Sequence, residues 1–135
     1  MILVTKIFQF EACHHLPNYD GKCRNPHGHS YKLEVTVFGD MNKTEGDPKE
    51  GMLIDFGVLK TIVNEKVVDK YDHQDLNKFF KVPTAELMVE SIAFDIIAAL
   101  PLGVYLKNCK LWETTTSYAE WNCFDGGRRL EKDVL

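Results

Sequence analysis

The chain has 135 residues, a length that fits one domain with a core large enough to fold without disulfides. Hydrophobic residues make up 44% and charged residues 27%, as in a globular protein, and the net charge of -4 argues against a general nucleic-acid or membrane-surface binder. The four cysteines form no CxxC pair, and the sequence shows no signal-peptide pattern and no apolar run of membrane length. We therefore expect one cytoplasmic domain over residues 1–135.

The first predicted strand covers residues 2–13 and is rich in Ile, Val and Phe. Phe8, Phe10 and Ala12 alternate along it, and His14 falls next on the same face if the strand continues. A turn-rich connection over residues 16–21 then leads towards a second strand. The pattern therefore predicts a histidine at the inward-facing end of the first strand.

Two histidines separated by one residue precede or open the second strand, which we expect at about residues 29–38. His27 and His29 share a face because side chains alternate along a strand, and that face is otherwise apolar. Such a pair is often hydrogen-bonded or lies at a surface, but imidazoles at this spacing also suit zinc. If His14 joins them, three histidines leave a fourth position open, as in catalytic zinc sites. Cys23, just upstream, is a candidate to join the metal or to act beside it.

Helical spacing and capping residues define the middle of the chain. Asp55 is well placed to cap one helix, a role we prefer to catalysis, and Thr84 is a reasonable cap for a second. The second helix is apolar on most sides, so it needs broad cover, either from a sheet alone or from a sheet together with a neighbouring subunit. The remaining elements, in chain order, are a polar loop (40–51), a helix (56–70), a break (71–80), the second helix to about residue 100, and strands at 104–113 and 118–122. The order ββααββ predicts an α+β fold, an antiparallel sheet with helices on one face.

Six short motifs in this order resemble the 6-pyruvoyltetrahydropterin synthase and 6-carboxytetrahydropterin synthase family. They are Phe10-Glu11-Ala12-Cys13-His14-His15-Leu16-Pro17, Cys23-x-x-x-His27-Gly28-His29, Gly51-Met52-x-x-Asp55-Phe56, Asp72-His73-x-x-Leu76-Asn77, Pro83-Thr84-x-Glu86 and Trp112-Glu113-Thr114. The resemblance implies a tunnelling fold, in which subunits join their sheets into a barrel and two rings stack as a hexamer, a dimer of trimers. It also implies active sites at subunit interfaces. The tail after about residue 122 matches none of these motifs.

The resemblance implies a role for each matching residue. It implies zinc ligands at His14, His27 and His29, a catalytic group of Cys23, Asp72 and His73, and substrate-binding residues Glu113, Thr84 and Glu86. Without the resemblance, Glu113 would be interpreted as a solvated carboxylate, the Asp72–His73 pair as a surface turn, and Thr84 as a helix cap only. His15 faces away from His14 on an extended chain, so we do not count it as a ligand.

The spacing between the cysteine and the first histidine of the pair bears on which branch of the family this is. Three residues separate Cys23 from His27, which resembles the bacterial 6-carboxytetrahydropterin synthases of queuosine and 7-deazapurine biosynthesis. The implied reaction converts 7,8-dihydroneopterin triphosphate, a small-molecule substrate, to 6-carboxy-5,6,7,8-tetrahydropterin, acetaldehyde and triphosphate. The alternatives are a 6-pyruvoyltetrahydropterin synthase, an aldolase-like relative acting on dihydroneopterin, and a non-catalytic zinc- or pterin-binding module. Lys22, Arg24 and Lys32 are open candidates for contacting the triphosphate.

Overall fold

A five-stranded sheet forms the body of the protein in the computed structural model, which describes residues 1–125 and 128–129. The strand order is β3-β1-β2-β4-β5. The strands are β1 (Ile2–His14), β2 (His27–Gly39), β3 (Gln74–Asp75), β4 (Tyr105–Thr114) and β5 (Ser117–Asn122). The α+β architecture predicted from the sequence is confirmed.

The register between β1 and β2 determines where the histidines lie. The two strands pair antiparallel without interruption, from Ile2 opposite Gly39 to His14 opposite His27. His29 lies opposite Ala12, one step along the same face. Residues directly opposite each other in such a ladder have their Cβ atoms about 4.5–5.5 Å apart. The pairing therefore places the three histidines together at one end of the sheet.

Two helical regions cover the same face of the sheet. The first consists of α1 (Phe56–Val63), a π-helical turn (Asn64–Val68) and α2 (Asp69–Tyr71), and the second is α3 (Ala85–Ala99). Both predicted caps form: the Asp55 carboxylate accepts the Gly57 N–H at 2.7 Å, and the Thr84 hydroxyl accepts the Leu87 N–H at 3.2 Å. Fully buried side chains of α3 pack against fully buried side chains of the strands, among them Met88, Ile92, Ile96, Leu33, Val35 and Leu111.

The sheet is mixed, whereas the sequence predicted an antiparallel one. Within the expected break at residues 71–80, β3 pairs parallel with β1, Gln74 opposite Ala12 and Asp75 opposite Cys13. A two-residue strand carries no readable period, which is why pattern analysis missed it. In the tail, β6 (Phe124–Asp125) pairs with β7 (Arg128–Arg129), and the rest of the tail lies outside the described residues. Within the described residues, every helix is too short or too polar to cross a bilayer.

Candidate active site

Three imidazoles converge at the end of the β1–β2 ladder. One nitrogen from each of His14, His27 and His29 lies within 4.8 Å of the others, and the Nε2 atoms of His14 and His27 are 3.0 Å apart. The three ring centroids are 4.6 to 5.0 Å apart. Nitrogen ligands about 2.0–2.1 Å from a tetrahedral zinc lie about 3.3–3.4 Å from each other, close to this arrangement. The geometry fits a metal ion held by three histidines.

Main-chain carbonyls determine which nitrogen of two of these rings is protonated. His14 donates from Nδ1 to the Pro83 carbonyl at 2.9 Å, and His27 donates from Nδ1 to the Asn25 carbonyl at 2.7 Å. A carbonyl only accepts, so each Nδ1 carries a proton, and in the neutral ring each Nε2 presents a lone pair. The two Nε2 lone pairs then face each other, an arrangement that a cation between them stabilises.

The third ring supplies a buried nitrogen that makes no hydrogen bond to any described residue. His29 Nε2 is shielded from solvent, and its nearest charged group is Glu113 Oε1 at 3.6 Å. Burial lowers the pKa of His14 and of His29. It outweighs the opposing effects of the Pro83 carbonyl and the Glu113 charge at His14, and of the Glu113 charge at His29. Neutral imidazole is the form that binds metals. An unsatisfied buried nitrogen beside two oriented lone pairs is the donor set that a zinc ion requires.

Cys23 lies on the connection between β1 and β2, in a single 3-10 turn (Lys22–Arg24). It is half-buried and not in a disulfide, and its carbonyl accepts the Leu16 N–H at 2.7 Å. This bond ties the cysteine-bearing turn to the chain two residues after His14. The group of residues able to share a metal within the described chain contains the three histidines and not Cys23.

Asp72 and His73 form a hydrogen-bonded pair on the outer edge of β1. Asp72 Oδ2 accepts from His73 Nδ1 at 2.9 Å, and Asp72 Oδ1 accepts the Glu11 N–H at 2.8 Å. The pKa of the Asp72 carboxyl lies below its usual value. The hydrogen bond from the Glu11 N–H has the largest effect, and the hydrogen bond from His73 the next largest. The His73 backbone has φ of 58°, an uncommon value for a residue with a side chain, and its N–H donates to the Glu11 carbonyl at 2.5 Å. The His73 ring is 79% exposed, so its Nε2 is free to meet a ligand or another chain.

Glu113 and His73 line different cavities. Glu113 and Glu86 border one of about 550 Å³ between the start of α3 and β5. His73 borders another of about 450 Å³, together with Cys13 and Ser30, whose side chains alternate away from the covered face of the sheet. His29 also borders the second cavity while its Nε2 lies beside Glu113. A single copy of the chain therefore places Glu113 close to the histidine cluster and exposes the Asp72–His73 pair towards separate space.

Three contacts that position the site were not predicted from the sequence. They are the Pro83 and Asn25 carbonyls on the histidine rings and the carboxamide of Asn77, which bonds both main-chain groups of His15 at 2.9 and 3.0 Å. Main-chain acceptors have no sequence signal. The only available signal for Asn77 was its place in the motif that begins at Asp72. The three basic residues considered for contact with the triphosphate lie in two different places. Lys22 and Arg24 flank Cys23, whereas Lys32 Nζ lies 4.5 Å from the centroid of the Trp112 ring.

Residues 3–123 match the sequence profile of a family described as 6-pyruvoyl tetrahydropterin synthase. The chain is 37% identical to a 6-carboxy-5,6,7,8-tetrahydropterin synthase of Haemophilus influenzae, over 90% of this chain and 99% of the relative. It is 38% identical to the protein of the same name from Synechocystis, over 90% and 93%. Among solved structures it is similar to the Caenorhabditis elegans 6-pyruvoyl tetrahydropterin synthase, with a TM-score of 0.77, 27% identity, and 90% and 94% coverage.

Proposed function

The chain belongs to the 6-pyruvoyl tetrahydropterin synthase family, and from that premise we propose that it is a zinc-dependent 6-carboxytetrahydropterin synthase. It converts 7,8-dihydroneopterin triphosphate to 6-carboxy-5,6,7,8-tetrahydropterin, acetaldehyde and triphosphate. This is a carbon–carbon lyase reaction of queuosine and 7-deazapurine biosynthesis in the cytoplasm, carried out by one domain over residues 1–135. The relatives from Haemophilus influenzae and Synechocystis, matched over nine-tenths of the chain, support the assignment.

The observation that supports the metal dependence most strongly is the opposed pair of Nε2 lone pairs on His14 and His27. With His29 Nε2 they provide three nitrogen donors and would leave one position for substrate. Zinc bound there supplies Lewis acidity to the hydroxyl groups of the substrate side chain. Burial lowers the pKa of His14 and of His29, which favours the neutral, metal-binding form of both rings.

The carboxylate of Glu113 would hold the ring of the substrate. Its two oxygens can accept from the 2-amino group and the adjacent ring N–H of a pterin, a planar edge of two donors. The Glu113 Oε1–His29 Nε2 distance of 3.6 Å supports this role, because a ring held by Glu113 would lie beside the histidine cluster and its side chain could reach a metal bound there. Thr84 caps α3 and Glu86 lines the same cavity as Glu113, which supports a place for both at the pterin pocket.

Proton transfer is assigned to Cys23, Asp72 and His73. Cys23 acts as a general base on the substrate side chain, in its thiolate form. Asp72 accepts from His73 Nδ1 and so leaves His73 Nε2 as the atom that exchanges a proton with substrate. The exposure of His73 supports a site in which the pair of one copy works with the histidines of another.

A homohexamer would complete such sites. Within the described residues, the outer edge of β1 is paired with β3 at Ala12 and Cys13 and bonded to Asp72 and His73 at Glu11, which leaves residues 2–10 of that edge available to another chain. Leu3 and Ile7 on β1 are 54% and 55% exposed, and Leu87 and Phe94 on α3 are 51% and 41% exposed. Open edges and exposed apolar side chains are commonly covered by symmetric association of identical chains.

The alternative is the pyruvoyl-forming reaction, and one feature of the sequence favours the carboxy-forming one. The connection from Cys23 to His27 has only three intervening residues, and both ends are anchored by the Leu16–Cys23 and His27–Asn25 bonds. The main chain that carries the thiol is therefore tied close to the histidine strands, and a small displacement of a base can change which proton it removes.

The experiment is substrate consumption by metal-stripped protein before and after zinc is restored. We expect about one zinc per chain and turnover of 7,8-dihydroneopterin triphosphate only with zinc, and His27→Ala should lose both. His15→Ala is the matched control, because His15 is the neighbouring histidine outside the metal group. Full zinc occupancy in His27→Ala, or equal turnover without metal, would contradict the proposal.

A further inference from the structure

The main chain just after His14 is held on both sides by one side chain. The His15 N–H donates to Asn77 Oδ1 at 2.9 Å, and Asn77 Nδ2 donates to the His15 carbonyl at 3.0 Å. The orientation of the carboxamide is unambiguous, because an N–H only donates and a carbonyl only accepts. Both polar groups of the His15 main chain are therefore satisfied by Asn77.

This contact continues the sheet two residues beyond the last main-chain pair. The parallel ladder places Gln74 opposite Ala12 and Asp75 opposite Cys13, so the next two steps would place Asn77 opposite His15. The chain instead turns into a 3-10 helix (Leu76–Lys78). A carboxamide has the same donor and acceptor as a peptide group, so the Asn77 side chain replaces the missing strand.

The Asn77 carboxamide with its two bonds to the His15 main chain, here called the Asn77 clamp, is itself held in place. Asp75 Oδ1 accepts the Asn77 N–H at 3.0 Å, and the neighbouring Leu76 side chain is fully buried. On the other side, Leu16 donates to the Cys23 carbonyl at 2.7 Å. Consecutive residues of one short segment thus carry the His14 ring, the Asn77 clamp and the attachment of the Cys23 turn.

We propose that Asn77 is a positioning residue that fixes the His14 imidazole in the histidine cluster by replacing a β-strand opposite His15. The inference rests on the proposed function, since it concerns the metal that those histidines would hold. Metal sites require ligands held to within about 0.5 Å, and removal of outer groups that orient ligands typically weakens metal affinity about 10–100-fold. The same clamp joins the histidine strand to the segment that begins at Asp72 and His73.

The test is a titration of the metal-stripped full-length protein with Co²⁺. The visible absorption of the bound Co²⁺ measures binding and reports the geometry of its ligands. Asn77→Ala removes both bonds. Asn77→Asp keeps the size but places an acceptor against the His15 carbonyl. We expect both variants to bind Co²⁺ about 10–100-fold more weakly than the parent and to show an altered spectrum. Asn42→Ala is the control: Asn42 is equally half-buried and accepts the Thr44 N–H at 2.9 Å in a distant loop, so its variant should match the parent.

The outcomes separate this inference from the proposed function. If the parent binds Co²⁺ and folded Asn77→Ala binds it with the same affinity and spectrum, the positioning role is refuted while the metal site stands. If Asn77→Ala does not fold, Asn77→Asp decides by the same criterion, and failure of both to fold makes Asn77 a folding residue and overturns the inference. If the parent binds no metal at its three histidines, the proposed function fails and this inference with it.

Discussion

Replacing Glu113 by glutamine tests how the substrate ring is held. Glutamine has almost the same shape but turns one of the two acceptor oxygens into a donor. The pterin edge offers two donors, so one charge-assisted hydrogen bond is lost and two donors face each other. A hydrogen bond to a charged group contributes about 1.5–3 kcal/mol, which corresponds to about 10- to 150-fold in affinity.

The assay is steady-state turnover of 7,8-dihydroneopterin triphosphate with saturating zinc, with kcat and KM measured separately. We expect kcat/KM of Glu113→Gln to fall about 10- to 150-fold, mainly through KM, because the ring is bound in ground state and transition state alike. Metal content must be measured in parallel, since Glu113 Oε1 lies 3.6 Å from His29 Nε2.

Glu34→Gln provides the matched control. Glu34 is also a half-buried strand carboxylate, but it accepts the Trp112 Nε1–H, and a carboxamide oxygen keeps that role. Its kinetic constants should stay within about twofold of the parent. An unchanged KM in Glu113→Gln, with zinc retained, would refute the assignment of Glu113 as the ring anchor.

Three further predictions follow from the site and the sheet edges. Cys23→Ala should keep its zinc and lose about 10²–10⁴ in turnover, as expected for a general base; if zinc is lost with it, Cys23 is a ligand instead. Because the pKa of Asp72 is lowered by Glu11 and His73, its contribution to stability is present above about pH 3.9 and is lost as pH falls through its lower folded-state value. Urea unfolding should therefore show parent and Asp72→Asn diverging at pH 6 and converging at low pH, and a constant gap would contradict this. Light scattering should show a homohexamer at micromolar concentration, and a stable monomer would exclude pairing at the β1 edge.

Alternation along the strands predicted the common face of the three histidines, because a period of two depends only on local backbone geometry. The apolar rows that end in His14 and follow His29 were sufficient to place the rings inward. The caps at Asp55 and Thr84 were equally predictable, since a cap needs only its own first turn. These features are local, and the structure agrees with them.

The contacts that orient the site depend on residues far apart in the sequence. Pro83 reaches His14 across 69 positions, and Asn77 reaches His15 across 62. Such contacts require the register of the completed fold, in particular the parallel pairing of β3 with β1, which has no period of its own. The resemblance to a family pointed to the residues involved, whereas the geometry shows what they touch.

The carboxy-forming reaction is tested most directly by the products of a single incubation. Zinc-loaded protein and 7,8-dihydroneopterin triphosphate, with no added reductant, are analysed by chromatography with mass detection, and acetaldehyde is trapped and quantified. We expect equal amounts of 6-carboxy-5,6,7,8-tetrahydropterin, acetaldehyde and triphosphate. A pyruvoyl product that keeps the three-carbon side chain, without acetaldehyde, would contradict it.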